Sequence, residues 1–214
     1  MGDFLKVSGN RIVEGKKAVV LKGVNFGGWL MMEAYFMQAP NRAVRFFKED
    51  FKKRLGEDAL LDFEEKFHRN FIGEEDFKRA AAMGCNCIRL PFHYGLIETA
   101  PYEYDLDGVA YLDRALRWAK THGLKVILDL HAVPGAQNHD WHSDSCGKAQ
   151  LWRSKEKQKR VCALWAFLAD RYKNNTTIAG YDLLNEAVIE DPAPLNKFYA
   201  DVIRAVRAVD KNHI

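Results

Sequence analysis

A chain of 214 residues is long enough to bury one sizeable core, or at most two small ones. Hydrophobic residues make up 48% and charged residues 29%, the balance of a soluble globular fold. With 32 basic and 29 acidic side chains the net charge is +3, which gives no reason to expect nucleic acid or an anionic membrane as a partner.

No apolar run approaches the roughly 20 residues that span a bilayer. The opening Met1-Gly2-Asp3-Phe4-Leu5-Lys6 lacks the basic start and long apolar stretch of a secretory signal, although a removed signal leaves secretion open. Cys85, Cys87, Cys146 and Cys162 form no C-x-x-C pair. Cys85 and Cys87 fall on one face of a predicted strand, which is poor disulfide geometry, so all four read as free thiols.

In chain order, Phe4 to Val20 predicts a short hairpin turning at Gly9-Asn10. Val19 to Phe26 predicts a first buried strand that runs into Gly27-Gly28-Trp29-Leu30. Residues 31 to about 70 form a long connection carrying Glu33 and a charged helical segment from Arg45 to Arg69. Glu74, Glu75 and Asp76 then place acids at a helix start, where the dipole favours them. Phe77, Ala80, Ala81 and Met83 supply its buried face, and Gly84 its stop. Cys85 to Pro91 predicts the next strand, ended by the proline. Asp105 and Asp107 are caps for a helix with Leu112, Ala115, Leu116 and Ala119 on one face, closed by Gly123.

Leu124 to His131 is a third strand. Ser154 to Asn174 is a helix with Val161, Leu164, Trp165, Leu168 and Tyr172 buried. Tyr181 to Glu186 is a fourth strand, and Pro192 and Pro194 open a helix burying Leu195, Phe198, Val202, Ala205, Val206 and Val209. Asp210 to Ile214 begins another strand. Strands alternating with helices predict a mainly parallel α/β sheet, either open and doubly wound or closed as a barrel. The whole chain reads as a single domain, with 1–20 as hairpin and 21–214 as four βα units and the threshold of a fifth.

The predicted strand ends offer Asn25, Arg89, His93, His131 and the pair Asn185-Glu186. In a parallel barrel these converge on one rim, where such folds place their chemistry. Strict alternation sends Asn185 and Glu186 to opposite faces, so both can meet a ligand only if the strand bulges or twists at its end. Each residue alone has a plainer reading: Glu186 as a structural acid, Arg89 as an ion-pair partner, His131 as a core histidine, Trp29 as core. His139-Asp140-Trp141-His142-Ser143-Asp144-Ser145-Cys146 carries metal-ligand letters, but no motif spacing fits and the stretch reads as a loop over a cleft. Gly23-Val24-Asn25-Phe26-Gly27-Gly28 is not G-x-G-x-x-G, which argues against nucleotide binding.

Four pieces, taken together, carry a resemblance: Leu21-Lys22-Gly23-Val24-Asn25-Phe26-Gly27-Gly28-Trp29-Leu30, Ile88-Arg89-Leu90-Pro91, Leu128-Asp129-Leu130-His131 through Asn138, and Leu183-Leu184-Asn185-Glu186. In this order they resemble the N-terminal half of a glycoside hydrolase family 5 catalytic domain, of the cellulase and exo-β-1,3-glucanase-like kind. The resemblance implies a (β/α)8 TIM-barrel fold, of which about four units, half a barrel, are present. It implies a retaining, metal-independent β-glycosidase that needs no cofactor and takes a β-glucan as substrate. Glu186 then is the general acid/base, Asn185 holds the sugar 2-hydroxyl, His131 lines the same subsite, and Arg89 supports the nucleophile. Glu33, His93, Tyr94 and Asn138 become substrate contacts.

The family's nucleophile, a glutamate on the seventh strand, has no counterpart among Glu190, Asp191, Asp201 and Asp210. The resemblance thus implies an incomplete barrel that pairs with itself or with a complementary C-terminal half, or else an inactive carbohydrate-binding half. Most relatives of this kind are secreted.

Overall fold

The structure, a computed structural model, describes residues 3–214. Met1 and Gly2, which open the stretch read for a secretory signal, lie outside the described residues. Strands β1 (Leu5–Ser8), β2 (Arg11–Glu14) and β3 (Lys17–Val19) make an antiparallel meander, one strand more than the expected hairpin. Val19 pairs with Ile12 in this meander rather than opening a buried strand. The meander closes the amino end of the main sheet. Leu5 is buried, the Phe4 ring meets His213 edge-on at 5.1 Å, and Lys125 Nζ donates to Glu14 Oε1 at 2.8 Å and to Thr176 O at 2.9 Å.

Strand β4 is only Gly23–Asn25 and is exposed, shorter and less covered than the sequence predicts. The long connection folds into helices α1 (Val44–Leu55) and α2 (Glu57–Asn70), joined at Gly56. Their charged faces meet water. Phe47, Phe51, Phe63 and Phe67 stack between them with centroids 5.1–5.8 Å apart. Phe47, Phe63 and Phe67 pack on Met31, Met32, Val44 and Ala132 to form a second, small core separate from the main one.

The βα repeat follows. Helix α3 (Glu74–Ala82) is capped by Asp76, whose Oδ2 accepts from Gly73 N at 2.9 Å. Met83 is 78% exposed, beyond the last turn rather than on the buried face. Strand β5 (Cys87–His93) passes through Pro91 instead of stopping there. Arg89 O accepts from Phe26 N and His93 N donates to Leu30 O, so alternate residues of β5 turn toward the β4 side. Pro91 lies between them, past the last paired residue of β4, where no N–H is required.

A small hairpin, β6 (Glu98–Ala100) and β7 (Glu103–Tyr104), leads to α4 (Leu106–Thr121), capped by Asp105. Then come β8 (Lys125–Ala132), α5 (Lys155–Tyr172) with Ser154 as cap, β9 (Ile178–Asp182), and α6 (Pro192–Val209) with Asp191 as cap. Phe198, Val202 and Val206 are the buried residues of α6, while Leu195, Ala205 and Val209 are only half-buried.

The parallel sheet has the order β4-β5-β8-β9. Strand order follows chain order with no reversal, the winding of a barrel rather than of a doubly wound sheet. Tyr181 N donates to Ile214 O at 3.1 Å, so the chain returns to the outer side of β9 at the expected place, with Ile214 itself outside any strand.

The two-residue period sorts the sheet into two faces. Ile88, Leu90, Phe92, Val126, Leu128 and Leu130 face the helices and are buried in the main core with Trp165, Leu168, Leu112 and Leu116. The opposite face carries Asn25, Arg89, Asp129, His131 and Asp182, brought level by the pairings Asn25 with Arg89 and Asp129 with Asp182. No helix among the described residues is long and apolar enough to cross a membrane.

Candidate active site

The polar face is tied together by Arg89. Its Nη2 donates to Asn185 Oδ1 at 2.7 Å and stands 2.9 Å from Asp182 Oδ2 and 3.0 Å from Asp129 Oδ2. Nε also donates to Asp182 Oδ2 at 3.1 Å, and Nη1 to Asn25 Oδ1 at 3.2 Å. One guanidinium thus spans all four strands' polar positions, a task suited to its fixed fork of donors. Asp129 is fully buried, and burial pushes its carboxyl above the usual range despite the opposing pull of His131 and Arg89.

His131 Nδ1 lies 2.7 Å from Asp129 Oδ2, and Nε2 lies 3.3 Å from Asn185 Nδ2. A carboxylate can only accept and an amide nitrogen can only donate, so the network assigns the proton to Nδ1 and leaves the Nε2 lone pair to Asn185. Asn185 is thereby fixed through both ends of its amide. Its second N–H is free to meet a hydroxyl.

Glu33 sits at the same rim. Oε2 accepts from Gly28 N at 3.2 Å and Oε1 is 3.8 Å from His131 Nε2. Burial raises the Glu33 carboxyl above its ordinary value against the pull of His131 and of the Gly28 N–H. Gly28 is held at φ +75°, and a Cβ there would come within 2.8 Å of the Phe36 ring. Glycine is required by both the dihedral and the close approach.

The predicted last strand is displaced. β9 ends at Asp182, four residues before Glu186, and Asn185-Glu186 lie on the connection that follows. Asn185 N still donates to Leu130 O at 3.2 Å, so the segment continues to track β8 without forming a strand. Glu186 has φ +40°, in the left-handed region. That local reversal, rather than a bulge inside the strand, lets Asn185 stay buried while the Glu186 side chain remains 66% exposed.

The loop after β8 holds this segment from behind. Gln137, fully buried, donates through Nε2 to His131 O at 2.7 Å and to Asn185 O at 2.9 Å. Asn138 Nδ2 donates to Glu186 O at 2.9 Å, while its Oδ1 accepts from Asp140 N at 2.9 Å. Further along, His142 Nε2 stands 3.3 Å from Glu186 Oε2. Trp141 meets Tyr35 edge-on at 5.8 Å, closing the rim between the two loops.

His93 and Tyr94 are placed elsewhere. His93 Nε2 is 3.2 Å from Asp144 Oδ2, and its Nδ1 accepts from Gly95 N at 2.9 Å. Tyr94 stacks on the His93 ring at 4.7 Å. Arg45 completes that group, donating to Asp144 Oδ2 from Nε at 3.1 Å and Nη2 at 2.9 Å, with its backbone N on Oδ1 at 2.8 Å. Burial works to raise the Asp144 carboxyl, but His93 and Arg45 prevail and hold it down at about 2.

Of the residues singled out in the sequence, the structure therefore gathers Arg89, His131, Asn185, Glu186, Glu33 and Asn138. It assigns His93 and Tyr94 to a separate ion-pair cluster beneath the α1–α2 hairpin. Three members of the site were not singled out as such: Asp182, Gln137 and His142.

Parallel strands wound in sequential order, with carboxylate, amide, imidazole and guanidinium groups gathered at their carboxyl ends, define a site of the (β/α)-barrel type. Comparison with known proteins makes the class specific. The model of the cellulase family (glycosyl hydrolase family 5) matches residues 52–214, and the chain belongs to this family of glycoside hydrolases.

Among curated relatives, a beta-xylosidase of Phanerodontia chrysosporium is 37% identical over 98% of this chain and 45% of its own length. Endoglucanase C of Acetivibrio thermocellus is 33% identical over 88% of this chain and 46% of its own length. A glucan 1,3-beta-glucosidase of Blumeria graminis is 33% identical over 85% of this chain and 44% of its own length. The chain spans a little under half the length of these relatives. Among solved structures, an endogalactoceramidase superposes with a TM-score of 0.72 at 19% identity, over 99% of this chain and 51% of that one, a likeness of fold.

Proposed function

We propose that this chain carries the acid/base half of a retaining β-glycosidase acting on a β-glucan. The observation that supports this most is the position of Glu186: an exposed carboxyl at the carboxyl end of the sheet, beside an Asn185 amide whose orientation is fixed by Arg89 and His131. In this reading Glu186 protonates the glycosidic oxygen and then activates water. Asn185 donates its free N–H to a sugar hydroxyl, and His131 and Glu33 line the same subsite. The names of the curated relatives, beta-xylosidase, endoglucanase and glucan 1,3-beta-glucosidase, agree in the β-glycosidic bond and differ in the sugar and linkage.

Retaining hydrolysis requires a second carboxylate about 5–5.5 Å from the first. We assign it to further βα units beyond residue 214, in the same polypeptide or in a complementary chain, joining on the outer side of β9 that Ile214 already meets. The 214-residue chain alone then self-associates through its outermost strands, β4 and β9, which light scattering at rising concentration measures. A monomer at all concentrations counts against this.

The decisive experiment supplies the C-terminal half and measures β-glucan hydrolysis. Glu186→Gln in the active assembly lowers turnover by about a hundredfold or more while substrate binding survives. Unchanged turnover rejects the assignment. One observation favours a second reading, a non-catalytic carbohydrate-binding half. Arg89 is already met by Asp129, Asp182, Asn185 and Asn25, and has little need of a further anion. A folded assembly of both halves that binds β-glucan without cleaving it selects that reading.

A further inference from the structure

We propose that His142 is a positioning residue for Glu186, fixing which of its two oxygens carries the catalytic proton. The inference rests on the reading of Glu186 as the general acid/base. His142 is not at a strand end and lies on the loop between β8 and α5, in a short 3-10 turn, Trp141–Ser143. Its Nε2 is 3.3 Å from Glu186 Oε2. The imidazole is only 13% exposed, and its Nδ1 is buried with no hydrogen-bond partner among the described residues. A buried N–H without an acceptor costs more than a buried lone pair on a ring nitrogen with no donor nearby. The proton therefore belongs on Nε2, aimed at Glu186.

Other groups face the ring. Asp140 Oδ2 is 3.8 Å from Nε2, the His131 ring lies 6.0 Å away, and the Trp141 ring stands edge-on at 5.7 Å. None replaces Glu186 as the nearest acceptor. The turn itself is held from both ends. Ser143 Oγ donates to Asp140 O at 2.8 Å, and the next residue, Asp144, is the anion gripped by Arg45 and His93. On the other side, Asn138 binds the backbone carbonyl of Glu186. Backbone and side chain of the acid are thus fixed by one loop.

With Oε2 facing the His142 Nε2 at 3.3 Å, Oε1 is the oxygen left to carry the proton. In the first step the Oε1–H bond breaks as an O–H bond forms on the glycosidic oxygen. The bond from that oxygen to the anomeric carbon breaks as the second carboxylate bonds to that carbon. In the second step Oε1 takes a proton from water, whose oxygen attacks the same carbon and expels the carboxylate. His142 gives up no proton in either step.

General-acid assistance matters most for poor leaving groups, which separates this role from a merely structural one. In the active assembly, His142→Ala lowers kcat/KM for an unactivated β-glucan oligosaccharide by about tenfold, a fraction of what a general acid supplies. For a 2,4-dinitrophenyl β-glucoside, which leaves without protonation, kcat/KM changes by less than about twofold. His142→Gln, which retains an N–H donor, recovers part of the loss. Equal losses on both substrates, or no loss on either, overturn the proposal.

Glu186→Ala serves as the control. If it shows no such split between substrates, the reading of Glu186 itself fails; if it does and His142→Ala does not, only the positioning role fails. A second measurement needs no activity. In the 15N-labelled chain, Glu186→Gln shifts the Nε2 resonance of His142, and an unmoved resonance in a folded variant rejects the contact.

Discussion

Arg89 shows how a single side chain can hold a site and also set the cost of changing it. Its partner Asp129 is fully buried, so removing the guanidinium leaves an interior carboxylate supported by the His131 ring alone. Breaking such a pair costs about 3–5 kcal/mol. Arg89→Met is accordingly destabilised by about that amount in urea unfolding at neutral pH, and recovers part of it in acid, where Asp129 can take a proton. A second residue gives a pH signature. Burial lowers the His68 imidazole from 6.5 to about 4. Above pH 6.5 the folded and unfolded chains are both neutral there. As pH falls from 6.5 toward about 4 the unfolded chain takes up a proton that the folded chain refuses, so stability falls across that window by up to about 3 kcal/mol. Unfolding of His68→Gln beside the parent, from pH 7 to pH 4, shows a flatter decline.

Among the elements, the α1–α2 hairpin is the one built most independently of the sheet. Its aromatic stack forms its own small core, and the Arg45–Asp144–His93 cluster is its strongest polar tie to the strand ends. Asp144→Ala loosens that tie, with a loss of about 2 kcal/mol, since Arg45 is a third exposed and can turn to water. Amide exchange quickens in α1 and α2 before the β5–β8 pairing is affected. In the parent the contribution of the depressed Asp144 carboxyl is present above pH 3.8 and is lost as pH falls toward about 2. The hairpin was legible as a charged helical insertion because period and charge survive in sequence; its docking was not, because Arg45 and Asp144 are 99 residues apart. The same limit explains the misplaced last strand. Leu183 and Leu184 extend the apolar run, but the chain leaves the sheet at Asp182 while Leu183 O accepts from Trp165 Nε1 at 3.0 Å. Apolar pattern records burial, and burial outlasts strand pairing here.

At the scale of the whole molecule, winding was the most legible property. Helix starts at Glu74–Asp76, Asp105, Ser154 and Pro192, with apolar stripes of helical period, located four of the helices and so the order of strands between them. The candidate site was legible as positions, since strand ends in a parallel sheet share a rim, and illegible as a network, since Arg89 could not be matched to Asp129 and Asp182 without the register. One feature of that rim bears on the stability of the entire fold. Glu186 holds a left-handed backbone, φ +40°, that a side chain of its kind rarely adopts. Such a conformation costs about 1 kcal/mol. Glu186→Gly removes the strain with the carboxyl, so this variant melts higher than its parent by calorimetry. On the proposed role of Glu186, the molecule holds its acid at a point where relaxation toward comfort abolishes it, and selection for heat resistance alone drifts toward loss of that carboxyl.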